Sequence, residues 1–202
     1  MATFNIVRTG FRWAGTRSPG TGSRPIIIKP VATAYGTALT RGLPVKLVSD
    51  GTIAAASAGD NIYGIMDGAE QYYDSSAGVM RKGGQIPASV SWGSVQARQT
   101  LARVIPVRGQ VFLCQADDAT TATTLSAYQD MVQENVEWVA GTAVGDQAGC
   151  LLDISGNATT NTLSVRILDI ANPSFTDFAN LGVDIVCAFN LIQDETNSAT
   201  GV

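Results

Sequence analysis

The sequence contains no histidine, and this absence removes much of the usual catalytic inventory. Histidine is the commonest general base and the commonest metal ligand in proteins. Serine and cysteine nucleophiles that need a histidine are therefore excluded, and so are zinc sites with histidine ligands. The sequence also lacks a phosphate-binding loop, a dinucleotide-binding glycine motif and a Gly-x-Ser-x-Gly nucleophile elbow. We expect a protein that is not an enzyme and that uses no metal and no cofactor.

Cysteine is scarce as well. The three cysteines, Cys114, Cys150 and Cys187, are spaced 36 and 37 residues apart, with no Cys-x-x-Cys pair. An odd number of cysteines at wide spacing is typical neither of a disulfide framework nor of a metal knuckle. Since Cys114 and Cys187 lie in apolar segments, we expect buried free thiols, which suits assembly in a reducing cytoplasm.

Charged residues make up only 15% of the 202 residues, against a usual share of roughly 25%, whereas 45% are hydrophobic. Such a composition favours a chain with a buried core over a disordered one. The scarcity of lysine and glutamate disfavours an α-rich fold. No apolar run approaches the ~18 residues of a membrane span, and the N-terminus lacks the apolar stretch of a secretory signal. We therefore expect a soluble protein that is made without export and has no membrane partner.

The net charge of −4 hides a strong asymmetry along the chain. Residues 1–116 carry 12 basic and 5 acidic side chains, whereas residues 117–202 carry 1 basic and 12 acidic side chains. One interpretation is that two oppositely charged faces attract each other within one fold. Another is that the basic part of one subunit contacts the acidic part of its neighbour. Nucleic-acid binding is disfavoured, because the basic residues are sparse and no nucleic-acid-reading motif occurs.

Residues 1–30 are predicted to form an extended basic arm. The segment 8–25 is rich in glycine, proline, serine and threonine and shows neither strand nor helix periodicity. It nevertheless contains two large aromatic side chains, which suit a segment that docks on a partner. A loosely packed terminus is the alternative. The candidate interface residues of this arm are Arg8, Phe11, Arg12, Trp13, Arg17 and Arg24.

Residues 31–192 are predicted to form a β-rich body, as one unit or as two lobes at about 31–114 and 115–192, with a polar tail at 193–202. The run Ile26-Ile27-Ile28 is a strand signal between two prolines. Asp50-Gly51 lies between two apolar runs and predicts a β-hairpin, which residues 62–66 extend into a three-stranded meander. Residues 69–84 are predicted to form a long loop. The two-sided apolar segment 183–192 is expected to be a strand that is either central in a sheet or covered by a neighbouring subunit.

One short helix is predicted within residues 117–135. Leu125, Tyr128 and Val132 recur at spacings of three and four residues, and Asp117 or Asp118 is a candidate cap. The turn signals elsewhere recur roughly every ten residues, which favours a sandwich or barrel. The sequence thus predicts a mainly β fold, a β-sandwich or barrel-like body with an extended N-terminal arm and at most one or two short helices.

Two further patterns have a functional and a structural interpretation. The acidic pair Asp117-Asp118 would suit carboxylate chemistry at a catalytic site, but a solvated loop or a helix cap explains the pair more simply. The three tryptophans, Trp13, Trp92 and Trp138, would suit a sugar-stacking platform if they came together. Their wide separation in sequence favours core or interface positions instead.

Several segments of the chain resemble capsid decoration (cement) and related head structural proteins of tailed bacteriophages. In residues 36–53 the pattern Gly-x-Pro-Val-x-Leu-x-x-Asp-Gly-x-Ile forms the hairpin signature, and Ala-Gly-Asp-Asn-Ile-Tyr-Gly-Ile follows at 58–65. The Gly-Phe-Arg at residues 10–12 is similar to part of the N-terminal arm of such proteins. Further similar segments lie at residues 139–142, 151–154, 158–162 and 164–168.

The resemblance implies a non-enzymatic virion protein, assembled in the host cytoplasm, that binds the outside of the capsid shell. Its implied partners are the major capsid protein and other copies of itself, with a trimer as the implied oligomer. One alternative is a virion-displayed β module that binds a carbohydrate or a host surface. A tail or neck structural protein is another.

Overall fold

In the part of the chain that the structure describes, short β-branched and aromatic segments, separated by glycine-containing turns, pair into two antiparallel sheets of six strands each. The sheets pack as a sandwich, and the same described residues include one short helix. The predicted mainly β fold is confirmed. The computed structural model describes residues 10–17, 22–32, 37–74, 77–88, 100–117, 122–160, 162–173, 178 and 182–193.

The first sheet, sheet A, contains the strand nearest the N-terminus together with five strands from the second half of the chain. Its spatial order is β1 (Arg12–Thr16), β8 (Gln110–Gln115), β12 (Asp184–Phe189), β11 (Val165–Ile170), β9 (Asn135–Val139) and β10 (Leu151–Ala158). The predicted central position of the last strand is confirmed, because β12 lies between β8 and β11.

The second sheet, sheet B, is built from the first half of the chain. Its order is β2 (Ile27–Pro30), β7 (Leu101–Pro106), β5 (Gly64–Asp74), β3 (Pro44–Leu47) and β4 (Ile53–Ala55), with β6 (Val79–Arg81) also paired to β5. β7 continues through a turn into β8 and so carries the chain from sheet B to sheet A. Buried residues of both halves of the chain form a single hydrophobic cluster.

The hairpin of β3 and β4 is confirmed, but the predicted meander is wrong. Asp50 accepts a hydrogen bond from the backbone N–H of Thr52 at 2.9 Å, and Gly51 has a φ of 79°, a conformation that favours glycine. β5 then pairs with β3 rather than with β4. The signal for each strand was present in the sequence, whereas the choice of neighbour depends on long-range packing.

The predicted loop at residues 69–84 is largely a hairpin of β5 and β6. β5 extends to Asp74, and Tyr72 and Asp74 lie opposite Arg81 and Val79. An ion pair between Arg81 Nε and Asp74 Oδ2, 2.6 Å apart, links the two strands. The polar composition of the segment concealed the strands, because the hairpin lies partly in solvent and needs few apolar residues.

The short helix is confirmed as α1 (Leu125–Asp130), but neither predicted aspartate caps it. The side chain of Thr124 accepts the capping hydrogen bond from Ala127 N at 3.3 Å. Asp117 instead accepts a hydrogen bond from Ile154 N, in β10, and Asp118 lies outside the described residues. Tyr128 is buried, which confirms the apolar side of the helix.

Candidate interaction surface

The described part of the predicted arm lies on the body rather than extending away from it. Phe11 is only 3% exposed, and its ring centroid lies 4.9 Å from that of Phe189 and 6.5 Å from that of Phe112. Burial of this aromatic cluster favours docking of the segment onto its own chain. Phe11 is therefore not available to fill a pocket on a neighbour.

The next residues pair with the edge of sheet A. β1 lies antiparallel to β8, and the indole N–H of Trp13 donates a hydrogen bond to Gln110 Oε1 at 2.8 Å. Arg12 forms an ion pair with Asp184 of β12, at 2.6 Å. Arg17 is exposed just after β1, and Arg8 lies outside the described residues. Five of the six arm candidates thus have a described position, and all five contact their own body. Arg24 does so through an ion pair with Asp67, and Arg17 through its backbone N–H, which donates a hydrogen bond to Gly109 O at 2.9 Å.

Ion pairs between the basic residues 1–116 and the acidic residues 117–202 account for only a part of the ion pairs in the described residues. The pair of Arg12 and Asp184 joins the basic first half to the acidic second half. Five other ion pairs of the described residues lie within the first half. The interpretation that opposite charges attract inside one fold therefore explains one observed contact. The interpretation that they attract between neighbouring subunits stays a prediction.

Strand β2 is an edge strand with exposed apolar side chains. It lies at one end of sheet B and pairs on one side with β7. On its other side the chain meets β4 just after β2 ends, where Val31 bridges Ile53 and Ala32 N donates a hydrogen bond to Ile53 O at 2.8 Å. Ile26 and Ile27 are each 37% exposed, and Ile28 is 52% exposed. An edge strand presents backbone N–H and C=O groups that have no partner strand, and apolar side chains make such an edge a template for a further strand. The sequence predicted the strand from this run of isoleucines but not its position at the edge.

A charged cleft of about 360 Å³ lies beside this edge. Its lining contains four cationic side chains and two carboxylates. The lining residues are Arg24, Arg41, Asp67, Gly68, Ala69, Glu70, Lys82, Gly83 and Arg103. Arg24 comes from the segment just before β2, and Arg103 comes from β7.

Asp67 is the centre of the cleft and is only 7% exposed. Its Oδ1 lies 2.9 Å from Arg24 Nη1, and its Oδ2 lies 3.5 Å from Arg103 Nε. Arg41 Nε donates a hydrogen bond to the backbone oxygen of Asp67 at 3.1 Å. One carboxylate is thus shared between two guanidinium groups, while a third guanidinium is held by the adjacent carbonyl.

A β-bulge gives Asp67 this position. The pairing of β5 with β7 shifts register between Met66 and Gly68, and Gly68 has a φ of 128°. Bulges of this kind redirect a side chain relative to the regular alternation of a strand. The sequence analysis did not single out Asp67 and missed the site. An acidic residue directly after the apolar pair Ile65-Met66 was the available signal.

Ile28 and Arg103 lie directly opposite each other in the pairing of β2 with β7. Side chains of such cross-strand pairs point to the same face of a sheet. Residues two apart on a strand also share a face, so Ile26 lies on that face as well. Ile26 and Ile28 therefore lie on the same face as Arg103, which lines the cleft, whereas Ile27 points to the opposite face. We call this face of the edge, together with the neighbouring cleft, the β2 surface (Arg24, Ile26, Ile28 and the cleft lining).

The tryptophan platform is not formed by the tryptophans whose positions are described. Trp138 is buried in the core, and Trp13 is half-buried against Gln110. These positions confirm the interpretation that they are packing residues. Trp92 lies outside the described residues.

The predicted free thiols are confirmed, since all three cysteines are unpaired and buried. Burial raises the pKa of Cys150 to about 12, and burial also raises the pKa values of Cys114 and Cys187 well above their ordinary value. The buried thiols therefore stay protonated near neutral pH and are not reactive nucleophiles.

The part of the chain with a described structure contains no group of three acidic or cysteine side chains placed to hold a metal ion. In that same part, no helix has the length and apolar character needed to cross a membrane. Comparisons with protein-family models, with curated proteins and with solved structures found no match for this chain.

Proposed function

We propose that this chain is a non-enzymatic virion structural protein that binds the outside of a tailed-bacteriophage capsid and clamps neighbouring major capsid subunits. The resemblance of its hairpin and N-terminal segments to capsid decoration proteins suggests the setting. The observation that carries the proposal is the β2 surface, where an apolar edge strand lies open beside a cationic cleft. We take this surface to be the attachment surface.

A decoration protein needs a stable body and a surface that a neighbouring subunit can cover. The sandwich provides the body, in which the described buried residues form one hydrophobic cluster. The edge of β2 around Ile28, ahead of the contact of Ala32 with β4, provides a short stretch of backbone for a partner strand, and its isoleucines provide apolar area for burial. Each subunit on a shell is surrounded by many copies of its partner, so modest contacts give high occupancy.

The proposal differs from the sequence interpretation in the surface that it uses. The arm candidates Phe11, Arg12 and Trp13 stabilise the body, whereas Arg24 belongs to the proposed surface. Arg8 and Arg17 keep their predicted interface role. The predicted homo-oligomer remains part of the proposal, with its state to be measured by light scattering on the purified chain.

The test is a co-sedimentation assay with capsid shells from the phage that encodes the chain. The unaltered protein is expected to pellet with the shells and to saturate at a fixed number of copies. The Ile28→Lys variant is expected to bind at least about tenfold more weakly, because it places a charge on the apolar edge.

Val144→Lys is the matched control, because Val144 is also an exposed apolar side chain, at 59%, but lies in the loop between β9 and β10. It should bind as the unaltered protein does. Failure of the unaltered protein to pellet, or equal loss of binding in both variants, would contradict the proposal.

A further inference from the structure

We propose that the cationic cleft of one copy of this chain binds an acidic patch beside strands β9 and β10 of a second copy. In this contact the carboxylates of Asp153 and Glu137 lie against the guanidinium groups of Arg24 and Arg103. The inference rests on the homo-oligomer within the proposed function, and it names the two surfaces that hold neighbouring copies together. The apolar face of β2 is left for attachment to the shell.

The cleft carries an excess of positive charge. Its four cationic side chains outnumber its two carboxylates by two. Asp67 is divided between Arg24 and Arg103. Glu70 pairs with Lys82 at 3.6 Å, an exposed pair of the kind that contributes little. Carboxylates from outside the chain therefore find cationic groups that the two carboxylates of the cleft do not neutralise.

The donor chemistry of the cleft suits carboxylates. A guanidinium group carries five N–H donors, and a contact with one carboxylate oxygen uses only a part of them. Arginine binds carboxylates through two parallel hydrogen bonds. Arg24 and Arg103 are each about two-fifths exposed at the side chain, so both groups are accessible from solvent while Asp67 fixes their positions.

The second half of the chain has carboxylates that lack a cationic partner. Asp184 pairs with Arg12. Other acidic side chains of this half form no ion pair with a described residue, namely Asp130, Glu134, Glu137, Asp146, Asp153 and Asp169. The chain therefore holds both members of a complementary set, and these acidic side chains do not meet the cations of the cleft within one copy.

Asp153 and Glu137 are the two carboxylates best placed for a cationic partner. They lie directly opposite each other in the pairing of β10 with β9. Side chains of such a pair lie on one face of the sheet, where like charges repel each other. Asp153 accepts hydrogen bonds from Ser155, and Glu137 accepts them from the backbone N–H groups of Trp138 and Ser164. Guanidinium groups from a second copy relieve the remaining repulsion.

The surroundings of this pair are negative overall. Glu134, just before β9, adds a third carboxylate, which accepts a hydrogen bond from Asn157 of β10. Arg166 of β11 lies opposite Asn135 and belongs to none of the ion pairs that the described residues form. Three carboxylates and one guanidinium leave an excess of two negative charges, which matches the excess of two positive charges in the cleft. We call these four side chains the acidic patch.

The contact joins two different surfaces, because the cleft lies at sheet B and the acidic patch lies at sheet A. An interface of this kind repeats from copy to copy and closes into a ring where the rotation allows it. A symmetric pair of two clefts would instead bring like charges together, which opposes association. A ring, such as the trimer that the resemblance implies, is the closed form of the proposed contact.

The first test is sedimentation velocity of the full chain at low salt and about 100 μM. The unaltered chain is expected to associate, and the association should weaken as salt rises, because salt screens exposed charges. Arg24→Gln, and Glu137→Gln together with Asp153→Asn, should each weaken association at least about tenfold. Arg108→Gln and Asp169→Asn, which also remove exposed charges, are the matched controls and should stay within about twofold.

The second test mixes the two weakened proteins in equal amounts. The Arg24→Gln protein keeps its acidic patch, and the doubly substituted protein keeps its cleft. One intact contact is therefore possible between them, and the mixture is expected to form a pair of one copy each and nothing larger. Recovery of binding in the mixture also shows that both variants are folded.

Three results would overturn the inference. The unaltered chain could stay monomeric at low salt. The controls could weaken association as much as the two test variants, or the test variants could leave it unchanged. The mixture could fail to form the pair although thermal unfolding shows that both proteins are folded. The double substitution leaves the buried Asp67 and its partners intact, so its result holds even if Arg24→Gln does not fold.

The same proteins separate this inference from the proposed function. If the mixture forms the expected pair but the unaltered chain does not pellet with shells, the contact between copies stands and the proposed function fails. If the unaltered chain pellets with shells and Ile28→Lys abolishes this, while the chain alone stays monomeric, the attachment surface stands and the contact between copies does not.

Discussion

At the scale of single residues, Gly64 marks a close approach of β5 to β7. A β-carbon at this position would lie 2.7 Å from the backbone oxygen of Ile105 and would collide with Cγ1 of Val104. A backbone atom cannot move aside as a flexible side chain can. Glycine is therefore required here by close packing and not by a positive φ. This contact helps to explain why β5 and β7 share the longest pairing in sheet B.

Gly64→Ala is therefore expected to lower the free energy of unfolding by about 1–3 kcal/mol, because the added methyl group overpacks the contact. Gly15→Ala is the matched control, since Gly15 also lies in a strand but a β-carbon there meets nothing within 4 Å. Its effect should stay within about 0.5 kcal/mol. Urea unfolding of the two variants measures both values, and equal losses would contradict this account of Gly64.

The buried thiols predict a loss of stability at alkaline pH. Burial raises the pKa of Cys150 from 9.0 to about 12, so between these values the unfolded chain loses the proton while the folded chain keeps it. The folded state then binds more protons than the unfolded state, and the free energy of unfolding falls as pH rises. The contribution of this one thiol should fall by about 2 kcal/mol between pH 8 and pH 10.5.

The measurement is urea unfolding across that pH range for the unaltered protein and for Cys150→Ala. The variant is expected to show the shallower decline, because lysine and tyrosine titrate equally in both proteins. Parallel curves would show that Cys150 ionises as readily in the folded state as in the unfolded state.

At the scale of elements, β1 is an integral edge strand of sheet A, held by Phe11 at its start. Phe11→Ala is expected to cost about 3–5 kcal/mol of stability, because it leaves a cavity against Phe112 and Phe189. Arg17→Ala, at an exposed position just after the same strand, should change stability by less than about 0.5 kcal/mol. Thermal unfolding of the two variants provides the comparison, and a small effect at Phe11 would restore the interpretation of a detached arm.

Most strands could be predicted from the sequence, because each has a local signal. The hairpin of β3 and β4 has Asp50-Gly51, and the alternation of Val165 and Ile167 marks β11. The pairing of β5 with β3, and the crossing from β7 to β8 between sheets, could not be predicted, since non-local pairing depends on the packing of the whole core. The strand β1 was missed because its glycine-rich flanks outweighed its two aromatic residues.

At the scale of the whole molecule, the candidate site was recognised only in parts. The isoleucine run was visible as a strand, and Arg24 was visible as a basic residue. Their combination with Asp67, Arg41 and Arg103 was not, because it joins segments separated by up to 79 residues in the sequence. A bulge in β5 and the edge position of β2 bring them together, and neither leaves a distinct local pattern.

The central claim is that the chain attaches to a capsid through the β2 surface. The most direct measurement is a cryo-electron microscopy map of the mature particle at a resolution that traces strands. The account predicts density for this sandwich on the outside of the shell, with the edge of β2 against a major capsid subunit. A particle without this chain, or a bound chain whose β2 edge faces solvent, would contradict it.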